Sequence, residues 1–331
     1  MIVRLISFTD KGEALARKLA DLLPGVADRC NTPEPLAPWT ARWFAGADAL
    51  VFVGAAGIAV RAIAPHVSSK ATDPAVVVVD EGGRFAVPIL SGHLGGANDL
   101  ARRIGALLGA EPVVTTATDL RGLFPVDQWA RVQHCAIPEP ERIKGVSARL
   151  LAGETVALRS DWPISGPPPE GVRVVREGRW DVALTLTRPE EEGLCLVPRI
   201  ATLGVGCRRG TERAALEGAL QTLLDRSRVF PQAICKVCTI DIKQGEPGLA
   251  EFCRARGLPL ETFSAGALAG AEGEFSASPF VERTVGVDNV CERAAVLGSG
   301  GALVWKKTAG NGVTMALALA PFAPDWRWKD E

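Results

Sequence analysis

The run Ala75-Val-Val-Val-Val79, set between Thr72-Asp-Pro74 and Asp80-Glu-Gly-Gly83, is apolar at every position. A strand with one wet face alternates apolar and polar residues, whereas an unbroken β-branched run asks for cover on both faces. Such strands belong to sheets sandwiched between helices, and the flanking sequence supplies both. Val3–Phe8 and Ala49–Val53 read as further buried strands. Asp10-Lys-Gly-Glu13 opens a helix with capping-box spacing, carried on by Leu15, Leu19 and Leu22 until Pro24-Gly25 stops it. A short helix around Trp39–Phe44, a helix through Ile63, the turn Glu81-Gly-Gly-Arg84 into a strand Phe85–Leu90, a helix over Asn98–Leu108 and a strand Pro112–Thr116 continue the pattern. The alternation predicts a largely parallel sheet covered by helices.

At 331 residues the chain exceeds one ordinary core, and its texture changes twice. We expect an N-terminal α/β domain over 1–132. Between Gln133 and Pro198, prolines 138, 140, 163, 167–169 and 189 punctuate short strands (Glu154–Leu158, Val172–Val175, Val182–Leu186), which reads as a small linking domain over 133–198. A second α/β pattern fills 199–331: strand Ile200–Gly204, helix Thr211–Leu224, strand Cys235–Ile242, helix Pro247–Arg256, strand Leu260–Phe263, a helix around Val290–Leu297, and the pair Ala302–Lys306 and Val313–Leu319. The expected fold class is α/β: two modules with mostly parallel sheets joined by a small α+β central segment.

Several functions are disfavoured at this level. Lys plus Arg, 37, balances Asp plus Glu, 38, which argues against a nucleic-acid binder. No apolar run reaches the ~18–20 residues of a membrane span, and Met1-Ile-Val-Arg-Leu leads into charge rather than a cleavage site. Eight cysteines scattered over this length suit reduced thiols in a cytoplasmic protein rather than a disulfide framework. With no Tyr and only His66, His93 and His134, a tyrosine base is excluded and a multi-histidine metal site nearly so. Cys235 and Cys238, three apart on a strand, point to opposite faces and do not chelate one ion easily.

The chemistry concentrates in loops. Ser91-Gly-His-Leu-Gly-Gly-Ala-Asn-Asp99 sets His93 among glycines between a strand and a helix, where a general base near neutral pH can be reached. Asn98 or Asp99 could cap the following helix. Asp73, Asp80, Glu81 and Asp119 fall at strand ends and, gathered on one sheet edge, would orient the histidine or hold water. Gly54-Ala-Ala-Gly57, ahead of Arg61, offers backbone amides at a helix start. Arg61, Lys70, Arg84, Arg102 and Arg103 suit a substrate with several carboxylates, or an ordinary mixed-charge surface. Gly204-Val-Gly206-Cys-Arg208-Arg-Gly210 is one residue longer than the dinucleotide fingerprint, and Asp225 ends a helix rather than a second strand, so NAD binding is rejected and an anion-binding turn remains open.

Longer strings carry a resemblance. Gly57-Ile-Ala-Val-Arg-Ala-Ile-Ala-Pro65, Lys70-Ala-Thr-Asp-Pro-Ala-Val-Val-Val-Val-Asp-Glu81, Leu90-Ser-Gly-His-Leu-Gly-Gly-Ala-Asn98 and Pro112-Val-Val-Thr-Thr-Ala-Thr-Asp119 resemble the CbiG family, the cobalt-precorrin-5A hydrolases of anaerobic cobalamin biosynthesis. Gly204–Gly210, Ile240-Asp-Ile-Lys243, Val285-Gly-Val-Asp-Asn-Val-Cys-Glu292 and Gly310-Asn-Gly-Val-Thr-Met-Ala316 are similar to that family's other module, with Gly312 inserted in the last string. The likeness covers about 45–130 and 200–320, and the middle only by position.

What the resemblance implies is a hydrolase module in 1–132 acting on a cobalt-bearing tetrapyrrole whose ring A acetate is closed as a δ-lactone. Water opens the lactone and acetaldehyde is expelled, giving cobalt-precorrin-5B. Cobalt arrives with the substrate, so no cofactor and no protein metal site are expected. The other partners implied are transient contacts with enzymes of the corrin pathway. His93 would act as base, oriented by Glu81 or Asp99, with amides of Gly95-Gly96 or Gly54–Gly57 facing the oxyanion. Arg61, Lys70 and Arg84 would hold carboxylates, and Asn98, Gly206 and Arg208 would line the substrate. The competing reading is a non-catalytic tetrapyrrole carrier, since the C-terminal module resembles proteins that occur alone in corrin pathways.

Overall fold

The computed structural model describes residues 1–69, 72–116 and 121–328. The fold is mixed α/β, built on three mostly parallel sheets.

The first module runs β1 (Val3–Ser7), α1 (Asp10–Leu22), β2 (Val26–Arg29), α2 (Leu36–Gly46), β3 (Ala49–Val53), α3 (Ala56–Ile63), β4 (Ala75–Val79), β5 (Phe85–Leu90), α4 (Ala97–Leu108) and β6 (Glu111–Pro112). Its strands lie in the order β2-β1-β3-β4-β5-β6. The unbroken apolar runs behave as their composition requires. Val51, Val53, Val77 and Val79 pack beneath α1 and α4, while Leu50, Phe52, Val76 and Val78 face Trp39, Phe44, Ala59 and Ile63 of α2 and α3. α1 is capped by Thr9, whose hydroxyl accepts from the Gly12 amide at 3.0 Å, rather than by Asp10.

One pairing sets the geography of the site. β1 to β4 are parallel, but β5 runs antiparallel to β4, with Val79 opposite Ala86 and Val76 opposite Leu90, and β6 follows the direction of β5. The end of β5 therefore lies with the starts of β3 and β4.

The second sheet follows α5 (Val126–Val132). It comprises β7 (Cys135–Ala136), β8 (Val156–Ser160), β9 (Val172–Val175), β10 (Val182–Leu184) and β11 (Leu194–Pro198), with α6 (Ile143–Leu151) between β7 and β8. The order is β7-β11-β10-β8-β9, with only β7 antiparallel. The central segment is thus a third α/β layer system with its own core. Phe124, Val126 and Trp129 ahead of and on α5 belong to that core, so the helix placed at the end of the first domain packs on the second sheet.

The third module contains β12 (Ala201–Cys207), α7 (Arg213–Ser227), β13 (Ile234–Ile240), α8 (Pro247–Arg256), β14 (Leu260–Phe263), α9 (Ala265–Ala269), α10 (Pro279–Val285), α11 (Cys291–Ser299), β15 (Ala302–Gly310) and β16 (Val313–Leu319). Its sheet is ordered β14-β13-β12-β16-β15, parallel on the β14 side and closed by antiparallel β16 and β15. Two residues separate β11 from β12, and one core runs through the junction: Ala183, Leu186 and Val197 share it with Leu203, Leu216 and Leu317. Beyond β16 the segment 322–328 returns to the second module, where Trp326 joins the core of α5.

Among the described residues no helix is long and apolar enough to cross a membrane, and no group of three or more His, Cys, Asp or Glu is placed to hold a metal ion. All eight cysteines are free.

Candidate active site

The loop Ser91–Gly96 links β5 to α4 and is held by its own backbone. The Ala97 amide donates to Ser91 O at 3.1 Å, Asn98 N to Gly92 O at 2.9 Å and Gly96 N to His93 O at 3.0 Å. Its glycines are required by close packing. A Cβ at Gly95 would stand 2.3 Å from the Ser91 Cβ, and one at Gly92 would stand 2.8 Å from the Asn98 Oδ1. Gly96 caps α4 in the left-handed region at φ 83°, where a Cβ is strained. Asn98 is buried, with its Nδ2 donating to Thr116 Oγ1 at 2.9 Å. Among the described residues, no group accepts from the amides of Gly92, Leu94 and Gly95. These are the loop's spare donors, and Gly96, whose amide is already committed, is not one of them.

His93 projects from this loop onto α5. Its Nδ1 lies 3.1 Å from Asp127 Oδ1, and the two side chains retain only 11% and 9% exposure. Asp127 sits in the first turn of α5, and its Oδ1 also accepts from the Gln128 amide at 3.0 Å. An imidazole whose Nδ1 faces a buried carboxylate is held in orientation, with Nδ1 the nitrogen suited to donate to that carboxylate. The pair therefore straddles the first and second modules. Composition pointed to His93 but not to this partner. The available signal was a lone acid inside an otherwise apolar helix start, Phe124-Pro-Val-Asp-Gln-Trp129.

The two carboxylates expected to orient the imidazole lie elsewhere. Asp99 accepts from Gln128 Nε2 at 2.8 and 3.0 Å, from Arg102 at 3.0 Å, and forms an ion pair with Arg131. It ties α4 to α5 and so supports the site from behind. Glu81 stands at the β4–β5 turn, the opposite edge of the sheet from His93, with the whole of β5 between them. Six residues at ~3.3 Å each make that roughly 20 Å. Arg84 shares the far edge, exposed, 4.0 Å from Asp80.

Gly54 and Gly57 also lie at that far edge, at the end of β3 and the start of α3, and Arg61 follows in the last turn of that short helix. The Gly54 amide donates to Val79 O at 2.9 Å, and the Phe8 ring packs where a side chain at 54 would begin. The exposed Arg61 turns its guanidinium back over Gly57. The expected single cluster is thus divided by the reversal of β5, and these residues do not converge on His93.

Asp73 shares the His93 edge, where it accepts from Ser68 N at 2.9 Å in the turn ahead of β4. Lys70 and Asp119 lie outside the described residues. His66 rests against the Phe44 ring at 5.7 Å, and His134 is exposed at φ 53°.

In the third module, Gly206 is a packing glycine on β12, where a Cβ would stand 2.5 Å from Thr314 Oγ1. Arg208 is exposed and runs along Gly312 in the β15–β16 turn. Nearby, Glu246 accepts from Gly210 N at 2.5 Å and from Lys243 at 3.1 Å. Burial disfavours its charge, but the Lys243 hydrogen bond leads the effects that hold its carboxyl below the usual range. That carboxylate thereby fills the anion-binding position the turn offers. Two clefts, of about 850 Å³ beside Gly210 and Glu246 and about 980 Å³ beside Arg159 and Trp180, contain none of the site residues expected from sequence. Cys238 is buried against α11, its thiol pushed up to about 12 by desolvation, which fits a packing role.

A histidine held on a buried carboxylate, with spare backbone donors beside it, is an arrangement able to support hydrolytic chemistry. Sequence comparison gives the biosynthetic class: residues 38–119 match the Cobalamin synthesis G N-terminal family and residues 201–318 the Cobalamin synthesis G C-terminus family. Relatives similar over most of the chain are the cobalt-precorrin-5A hydrolase of Salmonella typhimurium (35% identical, 96% of this chain and 97% of that one) and that of Priestia megaterium (33%, 82% and 79%). The probable cobalt-precorrin-5A hydrolase of Methanocaldococcus jannaschii is 24% identical over 96% of this chain. The chain belongs to the CbiG family. α5 and Asp127 fall between the two matched regions.

Proposed function

We propose that the chain is a cobalt-precorrin-5A hydrolase in cobalamin synthesis, opening the ring A acetate δ-lactone and releasing acetaldehyde to give cobalt-precorrin-5B. The likeness to cobalt-precorrin-5A hydrolases over most of the chain supports the substrate, and the His93–Asp127 pair on a glycine loop with uncommitted amides is the observation that carries the placement of the chemistry.

In the first step His93 Nε2 takes a proton from water as its oxygen bonds to the lactone carbonyl carbon. The developing oxyanion is met by amides among Gly92, Leu94 and Gly95, each good donor worth about 3–4 kcal/mol. When the ring C–O bond breaks, the imidazolium protonates the alcohol oxygen, and the ring A acetate is left as a free carboxyl still attached to the macrocycle. In the second step the same nitrogen removes the hydroxyl proton, and the alkoxide collapses to acetaldehyde. The broken C–C bond leaves its electron pair to the conjugated macrocycle, and the imidazolium returns its proton to that macrocycle or to solvent, which regenerates the base; cobalt enters as part of the substrate and no cofactor is supplied by the protein. Asp127 stabilises the imidazolium formed in both steps. A stoichiometric carrier would have no use for this pair.

Replacing His93 by Ala or Gln should abolish acetaldehyde release from the cobalt lactone under anaerobic conditions, while the native protein yields many equivalents. Near-native turnover by either variant removes the scheme.

A further inference from the structure

The segment following β16 makes more specific contacts than a loose tail needs. Trp326 stacks on Trp129 at 5.4 Å between centroids and 19° between planes, and Phe124 meets both Trp326 and Trp328 edge-on at 5.9 Å. Trp129 Nε1 donates to Asp325 O at 2.7 Å. Gln133 Nε2 donates to Asp325 Oδ1 and Arg327 O at 3.1 Å each, and Gln133 Oε1 accepts from the Asp325 amide at 3.2 Å. On its other side the segment is fastened to the second module: Trp326 Nε1 donates to Gly166 O at 3.1 Å and Ser165 N to Pro324 O at 2.9 Å.

Among the described residues, the segment's hydrogen bonds and ring stacking on α5 fall on Trp129 and on Gln133, the residue that caps the helix, which share a stripe because residues four apart on a helix stack. The stripe formed by Asp127, Gln128 and Arg131 carries the contacts to His93 and Asp99. α5 has seven residues, too few to hold a helix by itself, so its place is set by what it packs against. One side of it is pinned by segment 322–328, and the other presents the carboxylate to the histidine. Neither α5 nor this segment lies within the matched family regions.

We propose that Phe322–Trp328 is a positioning strap for the active site, with Trp326 as a positioning residue that fixes Asp127 against His93. This rests on the reading of His93 as the general base. Loss of the stacked indole lets α5 shift, and a displacement near 1 Å in a catalytic geometry costs up to about 10²-fold in rate.

The test uses full-length Trp326→Ala and Trp326→Phe. Imidazole NMR resonances are assigned by comparison with His93→Gln, and acetaldehyde release gives kcat and KM. Trp326→Ala is expected to lose the slowly exchanging His93 Nδ1–H signal and to lower kcat about 10- to 100-fold with KM within about twofold. Trp326→Phe, which restores a ring, should recover the signal and kcat to within about threefold. Should Trp326→Ala fail to fold by circular dichroism, Gln133→Ala, which removes the polar half of the grip, takes its place with the same readouts. A folded variant that keeps the signal overturns the proposal, whatever its activity. Loss of the signal with unchanged kcat supports the strap and instead removes His93 as base.

Discussion

Asp127→Asn is the sharpest probe of the chemistry because it changes charge and almost nothing else. The amide keeps an Oδ1 that can accept from His93 Nδ1, now 3.1 Å away, and from the Gln128 amide at 3.0 Å. It loses the negative charge that an imidazolium needs. Two unit charges at that distance attract by about 5 kcal/mol at an effective dielectric of ~20. Both groups are largely covered, so much of this offsets their desolvation, and the net loss is nearer the ~1.5–3 kcal/mol of a charge-assisted hydrogen bond. At about 1.4 kcal/mol per decade this is roughly a 10- to 100-fold drop in kcat. The attraction grows only as the imidazole gains its proton, so KM should stay within about twofold. Acetaldehyde release, followed anaerobically through a coupled alcohol dehydrogenase, reads both constants. If Asp127→Asn turned over within about threefold of native while His93→Gln was inactive, the carboxylate would have no part in activating the base, and the reasoning would fail.

Other outcomes follow from the same coordinates. Gly95→Ala must move a Cβ that would lie 2.3 Å from the Ser91 Cβ and 2.9 Å from the Ser91 carbonyl; thermal melts should show a loss of about 1–3 kcal/mol, with kcat falling further than that because the loop carrying His93 is forced open. Asp80 feels desolvation that raises its pKa, but hydrogen bonds from the amides of Phe85, Arg84 and Gly82, helped by the Arg84 charge, outweigh it and hold the carboxyl below its ordinary range. A lowered folded-state value stabilises the fold above the unfolded carboxyl range and is lost as pH falls through the folded value, so Asp80→Asn should cost up to about 1 kcal/mol at pH 7, with the cost shrinking as pH falls through the lowered folded value, as read by urea denaturation. Its side chain is 34% exposed, which keeps the effect small. The Cys238 thiol, pushed up to about 12 by burial, should escape iodoacetamide at pH 8 in the native protein and react only after denaturation, as seen by peptide mass mapping.

The sequence by itself determined the layers and the position of the reactive loop. The Ala75–Val79 run has to be covered on both faces, and it is, with alternate valines turned to helices on either side. His93 among glycines at the end of a strand has to be a loop histidine, and its sequence neighbours are too small to bury it; the cover that leaves the side chain 11% exposed comes from further along the chain, Asp127 included. Three matters were decided only in three dimensions. The sequence marked a turn at Glu81–Arg84 in a largely parallel sheet, and gathering the strand-end residues on one edge put Glu81, Arg84, Gly54 and His93 on one rim. The antiparallel pairing of β5 with β4 separates them by a strand length. The partner of His93 comes from a helix that belongs to another sheet's core, about thirty residues on, and local pattern cannot tell which of many acids the packing will bring near. The segment 322–328 returns across about two hundred residues of chain to hold that helix through aromatic stacking and backbone hydrogen bonds. Periodicity records which face of an element avoids water. It does not record which distant element covers that face, because burial is non-directional and many partners satisfy it equally until the whole chain has packed.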